Sequence, residues 1–143
     1  MATKSQATTV VYNFAQNSLS KTAEAGVELK IVLPNGVDTG AVITVRGEQA
    51  PSVKAYGRKL YQEYNMKRQA AIARKREPEE LTLEEAEALA VEAAVVRTIG
   101  WSGVGNDDGA IPFSPEAARK FYQENSWIQE LVTEESKNSF RFC

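Results

Sequence analysis

Val27-Glu28-Leu29-Lys30-Ile31-Val32-Leu33-Pro34-Asn35-Gly36-Val37-Asp38-Thr39-Gly40-Ala41-Val42-Ile43-Thr44-Val45-Arg46 is the stretch that decides the fold class. Val27, Leu29, Ile31 and Leu33 alternate with Glu28, Lys30 and Val32, the two-residue period of a half-buried strand. Residues 42–45 form a second β-branched run, and 34–40 between them is rich in turn formers. This predicts a β-hairpin with a longish loop. A lone two-stranded hairpin is marginal in water, so helices or another strand must cover its apolar face.

Upstream, residues 1–9 are small and polar and predict a flexible arm. Val10-Val11-Tyr12-Asn13-Phe14 fits a short strand or an apolar anchor. Ser18 to Ala25 fits a short helix closed by Gly26. Residues 10–47 thus make up the β-hairpin region.

Downstream, Pro51-Ser52 opens a long helix over about 52–76, and Pro78 ends it. Val53, Tyr56, Leu60, Tyr64 and Ala71 recur at helical spacing on one stripe. The other faces are basic: Lys54, Arg58, Lys59, Lys67, Arg68, Arg74, Lys75 and Arg76 stand against Glu63 alone. Thr82-Leu83-Glu84-Glu85 is a capping box. The helix it starts, about 82–99, should bury Leu83, Ala86, Leu89, Ala90, Ala93 and Val96. Its first half is acidic through Glu84, Glu85, Glu87 and Glu92, with Glu77, Glu79 and Glu80 just before it. Opposite charges fit an antiparallel helical hairpin over 52–99, in which charge sets register more than stability.

Residues 100–114 read as an aromatic connector. Ser114 caps the next helix, with Pro115 at its first position and Glu116 in its first turn. That helix runs to about Gln123 and buries Ala117, Ala118 and Phe121. Ser126-Trp127-Ile128-Gln129 can cap a last helix carrying Trp127, Leu131 and Ile128 inward. The C-terminal helices therefore span 115–138, and 139–143 is a short aromatic tail. The expected architecture is α+β in a single domain over 1–143. An N-terminal β-hairpin or small antiparallel sheet is followed by a four-helix, mostly α-helical C-terminal part.

Composition narrows the chemistry. The 143 residues carry a net charge of −2, which argues against general affinity for nucleic acid or an anionic membrane. There is no apolar run near the length of a membrane span and no apolar stretch at the N-terminus of the kind a signal peptide needs. Cys143 is the only cysteine, which suits a reducing cytoplasm. The chain has no histidine, so the commonest general base and metal ligand is missing. The expectation is a non-enzyme with no catalytic, cofactor-binding or metal-ligating residues and no cofactor.

Individual motifs agree. The four glycines over 100–109 lack the Gly-Lys-Ser/Thr of a phosphate loop. Asn106-Asp107-Asp108-Gly109 breaks the ligand alternation of a calcium loop, and a surface turn accounts for it. The glutamates over 77–92 fit a solvated helix face. The basic helix 54–76, with Tyr61 and Tyr64, is the best nucleic-acid candidate, but the acidic segment that follows would cancel its field. Trp101, Phe113 and Trp127 fit anchors that lock the C-terminal helices onto the hairpin. Phe140 and Phe142 either fold back or wait for a partner.

The order of elements resembles the tail assembly chaperones of long-tailed bacteriophages. The resemblance runs from about 26 to 140. It is carried by the hairpin, the charged helix, the acidic Leu/Ala helix leading into Trp101-Ser102-Gly103, and Ile111-Pro112-Phe113-Ser114-Pro115-Glu116-Ala117-Ala118-Arg119. Trp127 and an acidic last helix continue it. Trp101, Gly103, Pro112, Phe113, Pro115 and Trp127 are the signature positions, and Phe140 and Phe142 are candidate partner contacts. The ending Phe140-Arg141-Phe142-Cys143 departs from the Arg-Ala-Asn-Phe type of relatives.

The resemblance implies a non-catalytic factor that coats the tape measure protein, helps recruit the major tail tube protein, and leaves before the tail is complete. It would work in the host bacterial cytoplasm and be absent from the mature virion. Membrane and nucleic acid are not expected partners, and self-association into a homo-oligomer stays open. The rival readings are a structural virion protein of the tail or head completion, and a nucleic-acid-binding regulator using helix 54–76.

Overall fold

A computed structural model describes residues 10–77 and 79–143. The expected arm over 1–9 and the helix-ending role of Pro78 lie outside the described residues. In chain order the elements are α1 (Leu19–Ala25), β1 (Val27–Val32), β2 (Asp38–Val45), α2 (Pro51–Ala73), α3 (Leu83–Val96), β3 (Thr98–Ser102), β4 (Gly105–Asn106), β5 (Gly109–Ala110), α4 (Pro115–Glu124) and α5 (Ser126–Lys137). A 3-10 turn, Ser139–Phe142, closes the described chain.

The expected architecture needs correction. The fold is α+β, but among the described residues it has five α-helices rather than four, and two small antiparallel sheets rather than one N-terminal hairpin or small sheet. The fifth is α1, the short helix read over 18–25 ahead of the hairpin, capped by Ser18 and ended at Gly26. The first sheet has the order β1-β2-β3, so its third strand comes from the connector. Ile43 faces Leu29 on one side and Trp101 on the other. The physical reason is edge closure. β2 would otherwise expose a row of unpaired backbone groups, and the Thr98-Ile99-Gly100-Trp101 run fills them. Residues 10–14 form neither strand nor anchor: Val10 is 92% exposed and no strand is assigned there.

The alternation read from the sequence sets the sheet's two faces. Ile31, Ala41, Ile43 and Val45 point inward and are buried, while Glu28, Lys30 and Val32 face out. On β3 a register shift between Thr44 and Val45 leaves both Thr98 and Trp101 on the inner face, three residues apart. Val91 and Ala94 of α3, Ala118 and Tyr122 of α4, and Ile128 and Val132 of α5 pack onto that face with Val104. Burying each valine or isoleucine side chain among them contributes about 1.5–3 kcal/mol. The inward stripe of α5 is thus Ile128, Val132 and Ser136, with Trp127 and Leu131 only half-buried at its side.

A smaller cluster, Ala23, Ala50, Val53 and Phe142, fastens α1, the root of α2 and the tail together. Polar contacts reinforce it. Ala50 at the N-cap of α2 has no side chain to offer, so Glu24 of α1 does the capping. Its carboxylate accepts from the Ser52 backbone N–H at 2.9 Å and from Ser52 Oγ at 2.7 Å. Arg46 Nε donates to the same carboxylate at 2.8 Å and Arg46 Nη1 to the Val96 carbonyl at 2.9 Å, tying α1 and β2 to the end of α3.

Candidate functional site

α2 is long enough to leave the body of the protein. Its stripe buries Val53 and half-buries Tyr56 and Leu60, then continues through an exposed Tyr64 to a half-buried Ala71. Tyr64 is 59% exposed, and Tyr61, Met66 and Ile72 stand out with it. α3 mirrors this. Its second half buries Val91 and Ala94, while residues 81–89 are all exposed, Leu83 at 72%. The two helices meet at the root, where Tyr56 of α2 and Glu92 and Val95 of α3 line one cleft. The expected burial of Leu83, Ala86 and Leu89 does not occur: the hairpin is closed at its root and open at its tip.

Capping accounts for the two helix ends at that tip. Thr82 and Glu85 form the reciprocal box the sequence predicts, at 3.1 Å in both directions. α2 stops at Ala73, earlier than predicted, in a Schellman motif. The Arg76 N–H reaches the Ala71 carbonyl and the Lys75 N–H the Ile72 carbonyl, with Lys75 at φ 57°.

At the root, a cleft of about 390 Å³ lies between α2, α3, β3 and the connector. Tyr56, Val95, Ile99 and Phe113 line it, with Arg46 and Glu92 at its polar side. Glu92 is held by a two-pronged ion pair with Arg119 of α4, whose Nη2 lies 2.9 Å from Glu92 Oε1. That partner pulls the Glu92 carboxyl below its ordinary range. Burial of Tyr56 raises its phenol pKa.

The signature residues fall into two groups. Trp101, Phe113 and Trp127 pack against the main core. Trp101 meets Phe113 edge-on at 5.1 Å and Phe121 at 5.3 Å, and its Nε1 donates to the Ile111 carbonyl at 2.9 Å. Gly103 has φ +71°, and a Cβ there would lie 2.7 Å from the Gly40 carbonyl oxygen. Pro112 and Pro115 are exposed, Pro115 at the start of α4 beside the Ser114 cap. The 100–114 connector is therefore partly strand, holding β3 and the β4–β5 hairpin. Its Asn106 Oδ1 accepts from the Asp108 N–H at 2.9 Å, the surface turn anticipated from the residues.

Phe140 and Phe142 separate. Phe142 is 1% exposed, inside the smaller cluster, whereas Phe140 is 91% exposed. Phe142 is a structural anchor, not a free partner contact. Arg141 between them donates to the Glu28 carbonyl at 2.8 Å and pairs with Glu135 at 3.1 Å, which fastens the tail over the β1 edge. Residues that sequence reasoning missed include Glu24, Arg46 and Tyr122. Tyr122 is fully buried on α4, and its helical spacing from Ala118 was the available signal.

Among the described residues, no group of three or more His, Cys, Asp or Glu side chains is placed to hold a metal, and no helix is long and apolar enough to cross a membrane. The fold and the site define a small α+β domain with an unclosed charged hairpin set on an aromatic-pinned core. The chain belongs to the YdaY prophage protein family, whose model matches residues 56–142, from α2 through the C-terminal tail. It is a phage-derived protein. No curated protein and no solved structure matches it.

Proposed function

We propose that this protein is a non-catalytic phage tail assembly chaperone. It binds the tape measure protein and helps recruit major tail tube subunits in the host bacterial cytoplasm, and it is left out of the finished virion. The observation that supports this reading most is the open tip of the hairpin. There the stripe that buries Val53 carries on as exposed Tyr64, and α3 exposes Leu83 and Leu89 on the same half of the hairpin. An amphipathic helix of a client can lie there and cover the apolar side chains that the hairpin leaves exposed. The prophage family supplies the setting.

Co-expression with the tape measure protein of the same phage tests the reading. A soluble complex is expected, and it should be lost in a Tyr64→Glu, Leu83→Glu variant. A tape measure protein that stays insoluble and unbound overturns it. Mass spectrometry of purified virions addresses the rival structural reading, because a chaperone should be missing from them. The regulator reading draws on the exposed basic face of α2. Salt-dependent DNA retention that vanishes when Arg68, Arg74 and Lys75 are neutralised would favour it instead.

A further inference from the structure

Ahead of α1, the side chains of Val10, Val11, Tyr12 and Phe14 all stand exposed, and the Tyr12 and Phe14 rings meet edge-on with centroids 4.8 Å apart. The segment has a fixed shape. Asn13 Oδ1 accepts from the Ala15 and Gln16 backbone N–H groups, both at 3.0 Å, and the Asn17 N–H closes the turn on the Asn13 carbonyl at 3.1 Å. Lys21 Nζ donates to the Ala15 carbonyl at 3.4 Å, which ties the turn to the start of α1. Two aromatic rings are thus held out as a hook that anchors nothing in its own chain. An apolar cluster left in water in this way marks a contact surface.

The root cleft has the matching character. Its volume of about 390 Å³ is walled by Tyr56, Val95, Ile99 and Phe113, which is the size and lining of a binding pocket. The charges that reach it are already committed. Arg46 gives Nε to Glu24 and Nη1 to the Val96 carbonyl, and Glu92 is held by Arg119. A charged occupant would lose its water there without gaining a partner, whereas an uncharged aromatic one would not. The hook meets that condition, since no charged residue lies between Lys4 and Lys21.

We infer that Tyr12 and Phe14 of one copy of this chain fill the root cleft of another. The rings enter between the apolar walls, and the Tyr12 hydroxyl stays at the polar side beside Arg46 and Glu92. The contact runs between copies because α1 separates hook from cleft within one chain. Glu24 near the end of α1 holds Arg46 at the cleft, while the hook leaves from the start of α1, about 10 Å away along its axis. Hook and cleft are different surfaces, so the association is head-to-tail and continues into a closed ring or an open row. It leaves the hairpin tip free and does not rest on the chaperone reading. Client capture is read by tape measure solubility and self-association by mass, so either can fail alone.

Light scattering on the purified full-length chain should give an average mass above the 15.7 kDa of one chain, rising with concentration. Tyr12→Ser with Phe14→Ser removes the hook, and Tyr56→Lys puts a charge into the cleft. Each variant alone should stay at the mass of one chain with far-UV dichroism unchanged, because none of these residues belongs to either core cluster. Mixed, they should pair once, the intact hook of one in the intact cleft of the other, giving twice the chain mass and nothing larger. A synthetic peptide of residues 8–17 should bind the hook variant and not the chain that also carries Tyr56→Lys. A wild-type protein at the mass of one chain at every concentration overturns the inference. Association untouched by the hook variant, or two variants that fail to pair when mixed, overturns it equally.

Discussion

The Tyr122 hydroxyl donates to Thr98 Oγ1 at 2.6 Å, and Thr98 gives its own proton to the Ala94 carbonyl at 2.8 Å. The direction follows from valence. A carbonyl can only accept, so the single Thr98 proton is committed and Tyr122 must be the donor. This relay joins α4, β3 and α3 where all three are buried, and burial pushes the Tyr122 phenol up to about 12. Tyr122→Phe removes one buried hydrogen bond and should cost about 1 kcal/mol. Thr98→Val should cost more, about 1–3 kcal/mol, because it strands the Tyr122 hydroxyl without an acceptor. Urea melts of the two variants check the order, and the reverse order would refute the relay.

Glu24 gives the acid-side behaviour a sign. Its carboxyl is held below the ordinary value of 4.5, chiefly by the Ser52 backbone N–H, then by the Ser52 hydroxyl and Arg46. A lowered carboxylate stabilises fully above its unfolded-state value, and that contribution is lost as pH falls through the folded-state value. Below about pH 4.5 the wild-type protein should therefore lose stability as this cap protonates. Glu24→Gln, which turns one acceptor into a donor facing Ser52 or Arg46, should cost about 1 kcal/mol at neutral pH. Its stability should then fall less steeply in acid. Thermal melts between neutral pH and pH 3 measure both, and parallel curves for the two proteins would rule the cap out.

Legibility followed the range of the interactions. The β1–β2 alternation, the Thr82/Glu85 box and the Ser114 cap are local, and their residues announce them. β3 was hidden because its register shift puts inward residues Thr98 and Trp101 three apart, which erases the two-residue period. The cap of α2 was hidden because Glu24 lies 28 residues from Ser52. Phe140 and Phe142 look alike in sequence, and only the 3-10 turn directs one inward and the other to solvent. The hairpin shows the opposite failure: its apolar spacing is plain, but spacing alone does not say whether anything covers the stripe. Part of the candidate site was thus visible as a pattern, and its openness was not.

Two residues in and just after α2 are at odds with their local geometry. Lys75 sits at φ 57° in the left-handed position of the Schellman motif, where glycine has no steric cost. Lys75→Gly should stabilise by up to about 1 kcal/mol. Gly57 is inside the helix, and a Cβ there meets nothing within 4 Å. Gly57→Ala should add a further ~0.5–1 kcal/mol by cutting unfolded-state entropy. The sites lie far apart on the helix, so the gains should add. A rise in melting temperature for each single variant, and their sum in the double, is the expected result.

Gly103 shows how the turn after β3 is built. Ser102 pairs with Val42, and the chain then reverses at φ +71° so tightly that a Cβ would meet the Gly40 carbonyl oxygen at 2.7 Å and the Ala41 Cα at 3.2 Å. Both obstacles are backbone of the central strand and cannot swing aside as a side chain would. Gly103→Ala therefore carries the left-handed penalty and an overpacking penalty together, about 2–4 kcal/mol. The strain should be felt next door, where Trp101 Nε1 holds the Ile111 carbonyl and its ring packs on Phe113 and Phe121. Loosening that contact should red-shift Trp101 fluorescence before global unfolding, whereas Gly100→Ala, with open space at its Cβ, should leave the emission unchanged. Denaturant melts followed by fluorescence measure both effects. If the two alanine variants behave alike, the close approach at Gly103 does not constrain the turn.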